Sequence, residues 1–321
     1  MSADSSPIPV DPFYVAVIGP TASGKSALAL SLAAALDGEL VNCDSVQLYR
    51  GFEIGAAQPV AAELKAVPHH LWSVAEWHEA YDARLYAERA RGTLQEIDSR
   101  GRLPILVGGT GLYLRALWRE NWHELPKSES LRAELAPLAT DEIHARLLRR
   151  DPQRAAALHP NDRFRLLRAL EISLLLGHPV HQLPPEKGQR SRVFVISLSV
   201  PRATLHSRIE ARTRTMLEGG LIEEVEGLLA RGVAPDAKPM QSIGYAEVVA
   251  YLQGRLTRDN LEEAIVIATR QYAKRQETWF RKTEPDAIWT QESDLAELSA
   301  TIKSVREADR KAQRKRPSDE V

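Results

Sequence analysis

A glycine-bearing segment near the start of the chain constrains the fold more than any other feature. Residues 19–26 read Gly-Pro-Thr-Ala-Ser-Gly-Lys-Ser and fit the pattern G-x-x-x-x-G-K-[ST]. The segment follows an apolar run, Phe13 to Ile18, which is typical of a strand buried on both faces. It precedes an alanine- and leucine-rich helix from Ser26 to Leu36. The backbone N–H groups of such a loop, with the helix dipole behind them, predict a phosphate-binding site.

Two side chains of this loop have roles of their own. Lys25 brings a positive charge to the phosphate, and the Ser26 hydroxyl can ligate Mg²⁺, the cofactor that we expect. The predicted phosphate-binding residues of the loop are Gly19, Thr21, Ala22, Ser23, Gly24, Lys25 and Ser26.

Strands separated by helices along the chain predict an α/β fold, a P-loop core with a parallel sheet. Further strands are expected at Glu39–Cys43, Leu103–Val107 and Val193–Ser199. Between them, from about residue 121 to 185, lie helix signals, many arginines and no convincing strand. The predicted organisation is a core at 13–120 and 186–305, a helical insertion at 121–185, and disorder at 1–12 and 306–321.

Charge, cysteine content and hydropathy favour a cytoplasmic protein that does not enter membranes. The net charge is only −1, so contact with nucleic acid would need local basic clusters. The one cysteine, Cys43, cannot form an internal disulfide, which fits a reducing compartment. No apolar run approaches the roughly 20 residues that a membrane helix needs.

The end of the strand Leu103–Val107 bears on which phosphate compound binds. In many P-loop NTPases a strand like this ends in an aspartate that helps to hold Mg²⁺. Here Gly108, Gly109 and Thr110 follow instead, and a threonine cannot replace a carboxylate as a metal ligand. This weakens a kinase or ATPase interpretation without excluding it, and a diphosphate ester is an equally good occupant.

Several short motifs in a fixed order carry a resemblance to a known family. They are Gly-Pro-Thr-Ala-Ser-Gly-Lys-Ser at 19–26, Asp-Ser-Val-Gln-Leu-Tyr at 44–49, Gly-Gly-Thr-Gly-Leu-Tyr at 108–113, His-Pro-Asn-Asp at 159–162, Arg-Ala-Leu-Glu at 168–171, Ser-Ile-Gly-Tyr at 242–245 and Tyr-Ala-Lys-Arg-Gln-Glu-Thr-Trp-Phe-Arg at 272–281. Together they resemble the tRNA dimethylallyltransferase family of bacterial type.

The resemblance implies a reaction and a set of roles. Dimethylallyl diphosphate, with Mg²⁺, would alkylate N6 of the adenine on the 3′ side of a tRNA anticodon. Asp44 would be the general base, and Thr110 would lie at the allylic end or on a phosphate oxygen. One of Arg208 and Arg212, four residues apart on a predicted helix, would bind the diphosphate. The alternative is that these two arginines are surface charges paired with acidic neighbours.

The resemblance also implies which residues bind RNA, with the helical insertion gripping the anticodon arm and a single chain sufficing as a monomer. The implied tRNA-binding residues are Asp44, Ser45, Val46, Gln47, Thr110, Arg132, Phe164, Arg165, Leu166, Leu167, Arg168, Gln241, Ser242, Ile243, Gly244, Tyr245 and Ala246.

One segment departs from the family pattern, and two other functions stay open at this point. Residues 55–59 read Gly-Ala-Ala-Gln-Pro where the family more often has Gly-Thr-Ala-Lys-Pro, so Gln58 lacks a charge that could assist binding. A prenyltransferase acting on free adenine nucleotides would share the core chemistry. A P-loop kinase of small molecules would share only the phosphate-binding loop.

Overall fold

The computed structural model describes residues 11–119, 125–183, 192–290 and 295–314. The chain divides into two compact units: Met1–Trp118 with Arg190–Val321, here called the core unit, and Arg119–Gln189, called the small unit. The division falls close to the boundaries expected for an insertion into an α/β core.

A parallel sheet forms the centre of the core unit. Its described strands are β1 (Tyr14–Ile18), β2 (Gly38–Cys43), β3 (His69–His70), β4 (Leu103–Gly108), β5 (Val193–Leu198) and β6 (Ile288–Thr290). They lie in the order β3-β2-β4-β1-β5-β6, and every neighbouring pair is parallel. The predicted α/β class with a parallel sheet is confirmed. The edge strands β3 and β6 are too short to leave a pattern in the sequence.

Helices surround this sheet and make up the small unit. Before the small unit come α1 (Lys25–Leu36), α2 (Ala61–Ala66), α3 (Ala83–Ser99) and α4 (Gly111–Leu117). The small unit contains α5 (Glu129–Leu135), α6 (Thr140–Arg150), α7 (Pro152–Ala156) and α8 (Arg163–Leu176). After it come α9 (Arg202–Glu218), α10 (Leu221–Ala230), α11 (Tyr245–Leu252), α12 (Arg258–Thr283) and α13 (Leu295–Arg314). None of the helices in the described ranges combines the length and the apolar character of a bilayer span.

The order of the strands decides where the functional side chains lie. β1 is hydrogen-bonded to β4 on one side and β5 on the other, and all its residues are buried. β2 lies on the far side of β4. The carboxyl ends of β1, β2 and β4 therefore meet at one edge of the sheet, which is where parallel α/β proteins bind ligands.

The small unit has an apolar core of its own. Leu147, Leu166 and Leu170 are buried in a cluster that α5, α6, α7 and α8 share. The carboxylate of Asp162 caps α8 by accepting from the Arg165 N–H at 3.2 Å. The described residues of the small unit contain no strand, in line with the helical character predicted for this segment.

One expectation about the chain end is wrong. Disorder was expected from residue 306, yet α13 continues to Arg314; residues 315–321 and 1–10 lie outside the described ranges. Leu298 and Ile302, which precede residue 306, are buried against the cluster that includes α1, and the helix continues beyond them. Farther along, Arg306 donates to the Arg102 carbonyl oxygen at 2.7 Å, and Asp309 pairs with Arg192.

The substitution Ile302→Ala tests this docking. Because the Ile302 side chain is only 1% exposed, its loss should lower the free energy of unfolding by about 2–5 kcal/mol. Urea denaturation measures this, with the exposed neighbour Lys303→Ala as the matched control, expected within about 0.5 kcal/mol of wild type. Equal stabilities for the two variants would contradict the docked position of α13.

Candidate active site

The phosphate-binding loop lies between β1 and α1, as the motif predicts. Gly24, with φ of 93°, adopts the left-handed conformation that the turn into α1 requires. The Lys25 ammonium donates to the Pro20 carbonyl oxygen at 3.2 Å. The Ser26 side chain is exposed, and Lys25 and Ser26 both line the cavity in front of the loop.

The environment of Lys25 changes its acidity. Burial lowers the pKa of Lys25 to about 8, the nearby Asp44 carboxylate opposes this shift, and the Arg212 charge adds to it. The ammonium is therefore a strong partner for an anion at neutral pH and a weaker one in mildly alkaline solution.

Two arginines of α9 approach the phosphate-binding loop. Arg208 donates to the Ser23 carbonyl oxygen at 3.3 Å, and Arg212 donates to the Thr21 hydroxyl at 3.4 Å. Both line the cavity in front of the loop, and the carboxylate of Glu210 pairs with Arg270 instead. Both arginines therefore face the loop and its cavity, and diphosphate binding by either of them stays a prediction.

Asp44 follows β2 at the same edge of the sheet. One oxygen of its carboxylate, Oδ1, accepts from the N–H groups of Val46 at 2.9 Å and Gln47 at 3.4 Å. Its own N–H donates to the Asn42 side chain at 2.9 Å. These bonds hold Oδ1 and fix the direction of the carboxylate. Beneath it, burial raises the pKa of the Cys43 thiol to about 12, so this thiol stays protonated.

Thr110 follows β4 and connects to the segment that carries Asp44. Its hydroxyl oxygen accepts from the Ser45 N–H at 3.1 Å. Tyr272, on α12, interacts with the Thr110 side chain, and burial together with the Asp44 charge raises the pKa of the Tyr272 phenol. The two predicted catalytic residues, Asp44 and Thr110, are thus brought together.

A loop at residues 53–58 covers one side of the site and is held by polar side chains. The Glu224 carboxylate accepts from the N–H groups of residues 53–55 at 2.7–3.3 Å. The Tyr245 hydroxyl donates to Glu224 at 2.6 Å and accepts from the Ala56 N–H at 3.2 Å. The Gln47 side chain donates to the carbonyl oxygens of Ala56 and Ala57, at 3.0 and 2.8 Å.

The residue that departs from the family pattern takes part in this loop. Gln58 donates through its side-chain amide to the Gln47 carbonyl oxygen at 2.7 Å. A neutral hydrogen bond therefore stands where the family more often has a cation. The side chain closes the loop back onto the segment that carries Asp44.

Two adjoining cavities open at this edge of the sheet. One, of about 1250 Å³, is lined by the phosphate-binding loop, Arg208 and Arg212. The other, of about 320 Å³, is lined by residues 241–244, Ile209 and Ile265. Asp44, Thr21, Arg212 and Tyr272 line both cavities. Asp44 therefore lies at the junction of the cavity that contains the phosphate-binding loop and a smaller, more apolar one.

The predicted RNA-binding residues of the core unit divide into cavity-lining and buried side chains. Ser45, Val46, Gln241, Ser242, Ile243 and Gly244 line the smaller cavity. Tyr245 is fully buried beside Glu224, so its ring supports the loop at 53–58 rather than presenting a surface. Ala246 lies in the first turn of α11, next to these residues.

The predicted RNA-binding residues at the start of α8, in the small unit, divide into exposed and buried side chains. Phe164 is 82% exposed and Arg165 is also exposed, whereas Leu166 and Leu167 belong to the apolar cluster. The Leu166 side chain is therefore inaccessible to RNA.

Two other arginines predicted to bind RNA hold a buried carboxylate. Arg132 donates twice to Glu171, at 2.9 and 3.1 Å, and Arg168 donates to it at 2.6 Å. The Glu171 side chain is fully buried, so removing either arginine would leave a buried charge without one of its partners and would destabilise the unit.

Three residues of the site are not predicted from the sequence: Met216 lines both cavities, Gln276 lines the larger one, and Glu224 holds the loop at 53–58. Gln276 lies inside the motif at 272–281, but an uncharged amide in a helix indicates no role by itself. Glu224 and Met216 lie within α10 and α9, and no local motif marks either residue.

Comparison with known proteins decides the family. The family model for IPP transferase matches residues 47–283. The tRNA dimethylallyltransferase of Myxococcus xanthus is 46% identical over 87% of this chain and 92% of its own. The chain belongs to the tRNA dimethylallyltransferase family.

Other members of the tRNA dimethylallyltransferase family agree with this assignment in sequence and in fold. The tRNA dimethylallyltransferase 1 of Trichlorobacter lovleyi is 43% identical over 91% of this chain and 97% of its own. The full-length tRNA isopentenylpyrophosphate transferase of Bacillus halodurans superposes with a TM-score of 0.71 at 35% identity, covering 94% of this chain and 99% of that one. A eukaryotic dimethylallyltransferase acting on tRNA gives a TM-score of 0.76 at 26% identity, covering 96% and 81%.

The lowered pKa of Lys25 predicts how binding of inorganic diphosphate depends on pH. As the pH rises through about 8, Lys25 loses its proton, so affinity should fall, by up to about tenfold per pH unit above the pKa. Isothermal titration between about pH 7 and pH 9 measures this dependence.

The variant Lys25→Arg is the matched control, because a guanidinium stays charged throughout this range. It also corrects for the titration of diphosphate itself. The same pH dependence in wild type and variant would show that Lys25 is not the titrating group.

Proposed function

We propose that this chain transfers the dimethylallyl group of dimethylallyl diphosphate to N6 of adenine-37 in tRNA, next to the anticodon on its 3′ side. The products are N6-isopentenyladenosine and diphosphate. Membership of the tRNA dimethylallyltransferase family supports the reaction class, and the site supports the division of labour between the residues.

The observation that carries the proposal is the position of Asp44 between two cavities of different character. The larger cavity has Lys25, Arg208 and Arg212 around a phosphate-binding loop, which suits a diphosphate. The smaller one has the backbone and side chains of residues 241–244 with apolar neighbours, which suits a base that has left its stack. A group at the junction can act on an atom of each substrate.

In the proposed reaction the N6 lone pair attacks C1 of the allylic diphosphate. The N–C bond forms as the C1–O bond breaks, and the leaving diphosphate keeps that electron pair. Asp44 Oδ2 takes the proton that N6 loses, which restores the nucleophilicity of an amine conjugated with its ring. Lys25, Arg208, Arg212 and the loop N–H groups stabilise the charge that builds up on the leaving oxygen.

We also propose that Mg²⁺ assists the departure of diphosphate. The exposed Ser26 hydroxyl lies beside Lys25 in the larger cavity, and an oxygen donor of this kind, with the oxygens of diphosphate, suits Mg²⁺. No cluster of three or more acidic, histidine or cysteine side chains that could hold a metal lies within the described ranges. Most ligands of the ion would therefore come from the substrate. When bound, the ion neutralises charge on the leaving group.

For the RNA, we propose that residues of both units bind the anticodon stem-loop. In the small unit the exposed Phe164 and Arg165, at the start of α8, can stack on a base and pair with a phosphate. In the core unit the segment 241–244 forms part of the smaller cavity. One chain supplies residues for both substrates, so the proposed active form is a monomer.

The substitution Asp44→Asn tests the proposed base. Asparagine keeps an oxygen that can accept from Val46 and Gln47, so the turn should persist while proton uptake is lost. We expect kcat to fall by about 10²–10⁴-fold, with the affinity for tRNA unchanged. The measurement is transfer of labelled dimethylallyl diphosphate, with Mg²⁺, to unmodified tRNA, together with filter binding of that tRNA.

The same assay, run on wild type with AMP and ATP as parallel acceptors, separates the other candidate functions. Label in the free nucleotide would favour a nucleotide prenyltransferase, and phosphoryl transfer from ATP without label in tRNA would favour a kinase. Wild-type turnover by Asp44→Asn would reject Asp44 as the base and leave the transfer itself standing.

A further inference from the structure

A buried glutamine on α12 joins two loops of the site. The Gln276 side-chain oxygen Oε1 accepts from the Thr21 N–H, in the phosphate-binding loop, at 2.8 Å. Its nitrogen Nε2 donates to the Gly109 carbonyl oxygen, in the turn that follows β4, at 2.9 Å. Gln276 is 6% exposed. A single amide group, shielded from water, therefore satisfies one polar group on each loop.

The glycines of the turn after β4 leave space for the Gln276 amide and for the neighbouring Trp279 ring. A methyl group on Gly109 would lie 2.3 Å from Gln276 Nε2, so the amide would have to leave the carbonyl oxygen. Trp279, three residues farther along α12, fills the space beside Gly111, where a methyl group would lie 2.7 Å from its ring. The turn thus approaches α12 as closely as a backbone without side chains allows.

Gln276 and its neighbours present one face of α12 to the site. Tyr272, Gln276 and Trp279 are spaced by four and three residues, which places them on the same side of a helix. Tyr272 interacts with Thr110 and with the charge of Asp44, and Trp279 packs on Gly111. Gln276 lies between them and is the member of this face that reaches across to the phosphate-binding loop.

The contacts of the turn continue to the proposed base. Gly109 is covalently joined to Thr110, whose hydroxyl oxygen accepts from the Ser45 N–H. Ser45 is in turn the neighbour of Asp44. A short path therefore runs from the phosphate-binding loop through Gln276 to the segment that orients the Asp44 carboxylate.

We infer that Gln276 is a positioning residue that sets the separation between the diphosphate-binding loop and Asp44. The inference rests on the proposed function, in which the two groups act on one bond-forming step. In such a step a displacement of about 1 Å can cost about 10²-fold in rate. Gln276 lines the larger cavity beside both loops and is absent from the lining of the smaller one, so its loss should lower kcat and leave KM for tRNA unchanged.

The variant Gln276→Glu gives a test that a simple packing role would not pass. An ionised carboxylate can accept from the Thr21 N–H but cannot donate to the Gly109 carbonyl oxygen, whereas a protonated carboxyl group can do both. Burial beside a carbonyl oxygen favours the protonated form and raises the pKa of this glutamic acid. The ratio of variant to wild-type kcat should therefore rise as the pH falls, by up to about tenfold per pH unit above that pKa.

The measurement is transfer of labelled dimethylallyl diphosphate to tRNA between about pH 8 and pH 6, with thermal unfolding recorded at each pH. Gln276→Met keeps the size of the side chain and removes both hydrogen bonds, so its kcat should be lower by about 10²-fold at every pH. Gln271→Glu introduces the same charge at an exposed position of the same helix and is expected to match wild type.

Each outcome decides the matter. An activity ratio for Gln276→Glu that does not change with pH, or a Gln276→Met variant that is folded and fully active, overturns the inference while the proposed function stands. A loss that is confined to KM for tRNA would make Gln276 a binding residue and also overturns it. If wild type and Gln271→Glu both leave tRNA unlabelled, the proposed function fails, and the inference fails with it.

Discussion

The parallel pairing of β1 with β4, and of β4 with β2, is the constraint on which the rest of the site depends. Because these three strands run the same way, the phosphate-binding loop, the turn at 108–111 and the segment carrying Asp44 all leave the sheet at one edge. The complete burial of β1 makes this register costly to change. A leaving-group site and a base are thereby juxtaposed although they are distant in sequence.

Polar side chains then hold the irregular segments that the sheet brings together. The Glu224 carboxylate binds three successive N–H groups of the loop at 53–55, and the Gln276 amide joins two loops. In the small unit Glu171 plays a comparable part for Arg132 and Arg168. Each of these groups is a buried or half-buried polar atom with several partners, an arrangement that rigidifies when complete and is costly when incomplete.

The features that the sequence predicts well are those whose partners are near in the chain, and the features that it does not predict depend on contacts between distant residues. The phosphate-binding loop, Asp44 and Thr110 are contiguous with strands, so motif and pattern suffice to place them. Gln276 and Glu224 form hydrogen bonds with segments that are far away in the chain, and the residues next to them in the sequence do not indicate those partners. The strands β3 and β6 are too short to show periodicity, and the end of α13 is held by polar contacts with Arg102 and Arg192, which are far away in the chain. Leu166 is predicted to bind RNA, but its side chain is buried in the apolar cluster of the small unit because its position on α8 faces that cluster.

The close approach of the turn at 109–111 to α12 bears on how this enzyme can diverge. Gly109 and Gly111 face the Gln276 amide and the Trp279 ring with no room for even one carbon atom. A substitution there would act at once on the sheet edge, the phosphate-binding loop and the longest helix. Substitutions at Gly109 and Gly111 are therefore strongly disfavoured. In the loop at 53–58 the departures from the family pattern fall on Ala56 and Gln58, whereas Gly55, which lies against the Tyr245 ring, keeps the glycine of that pattern. The departures have thus fallen on residues that line the cavities and have left the close approaches between backbone and ring untouched.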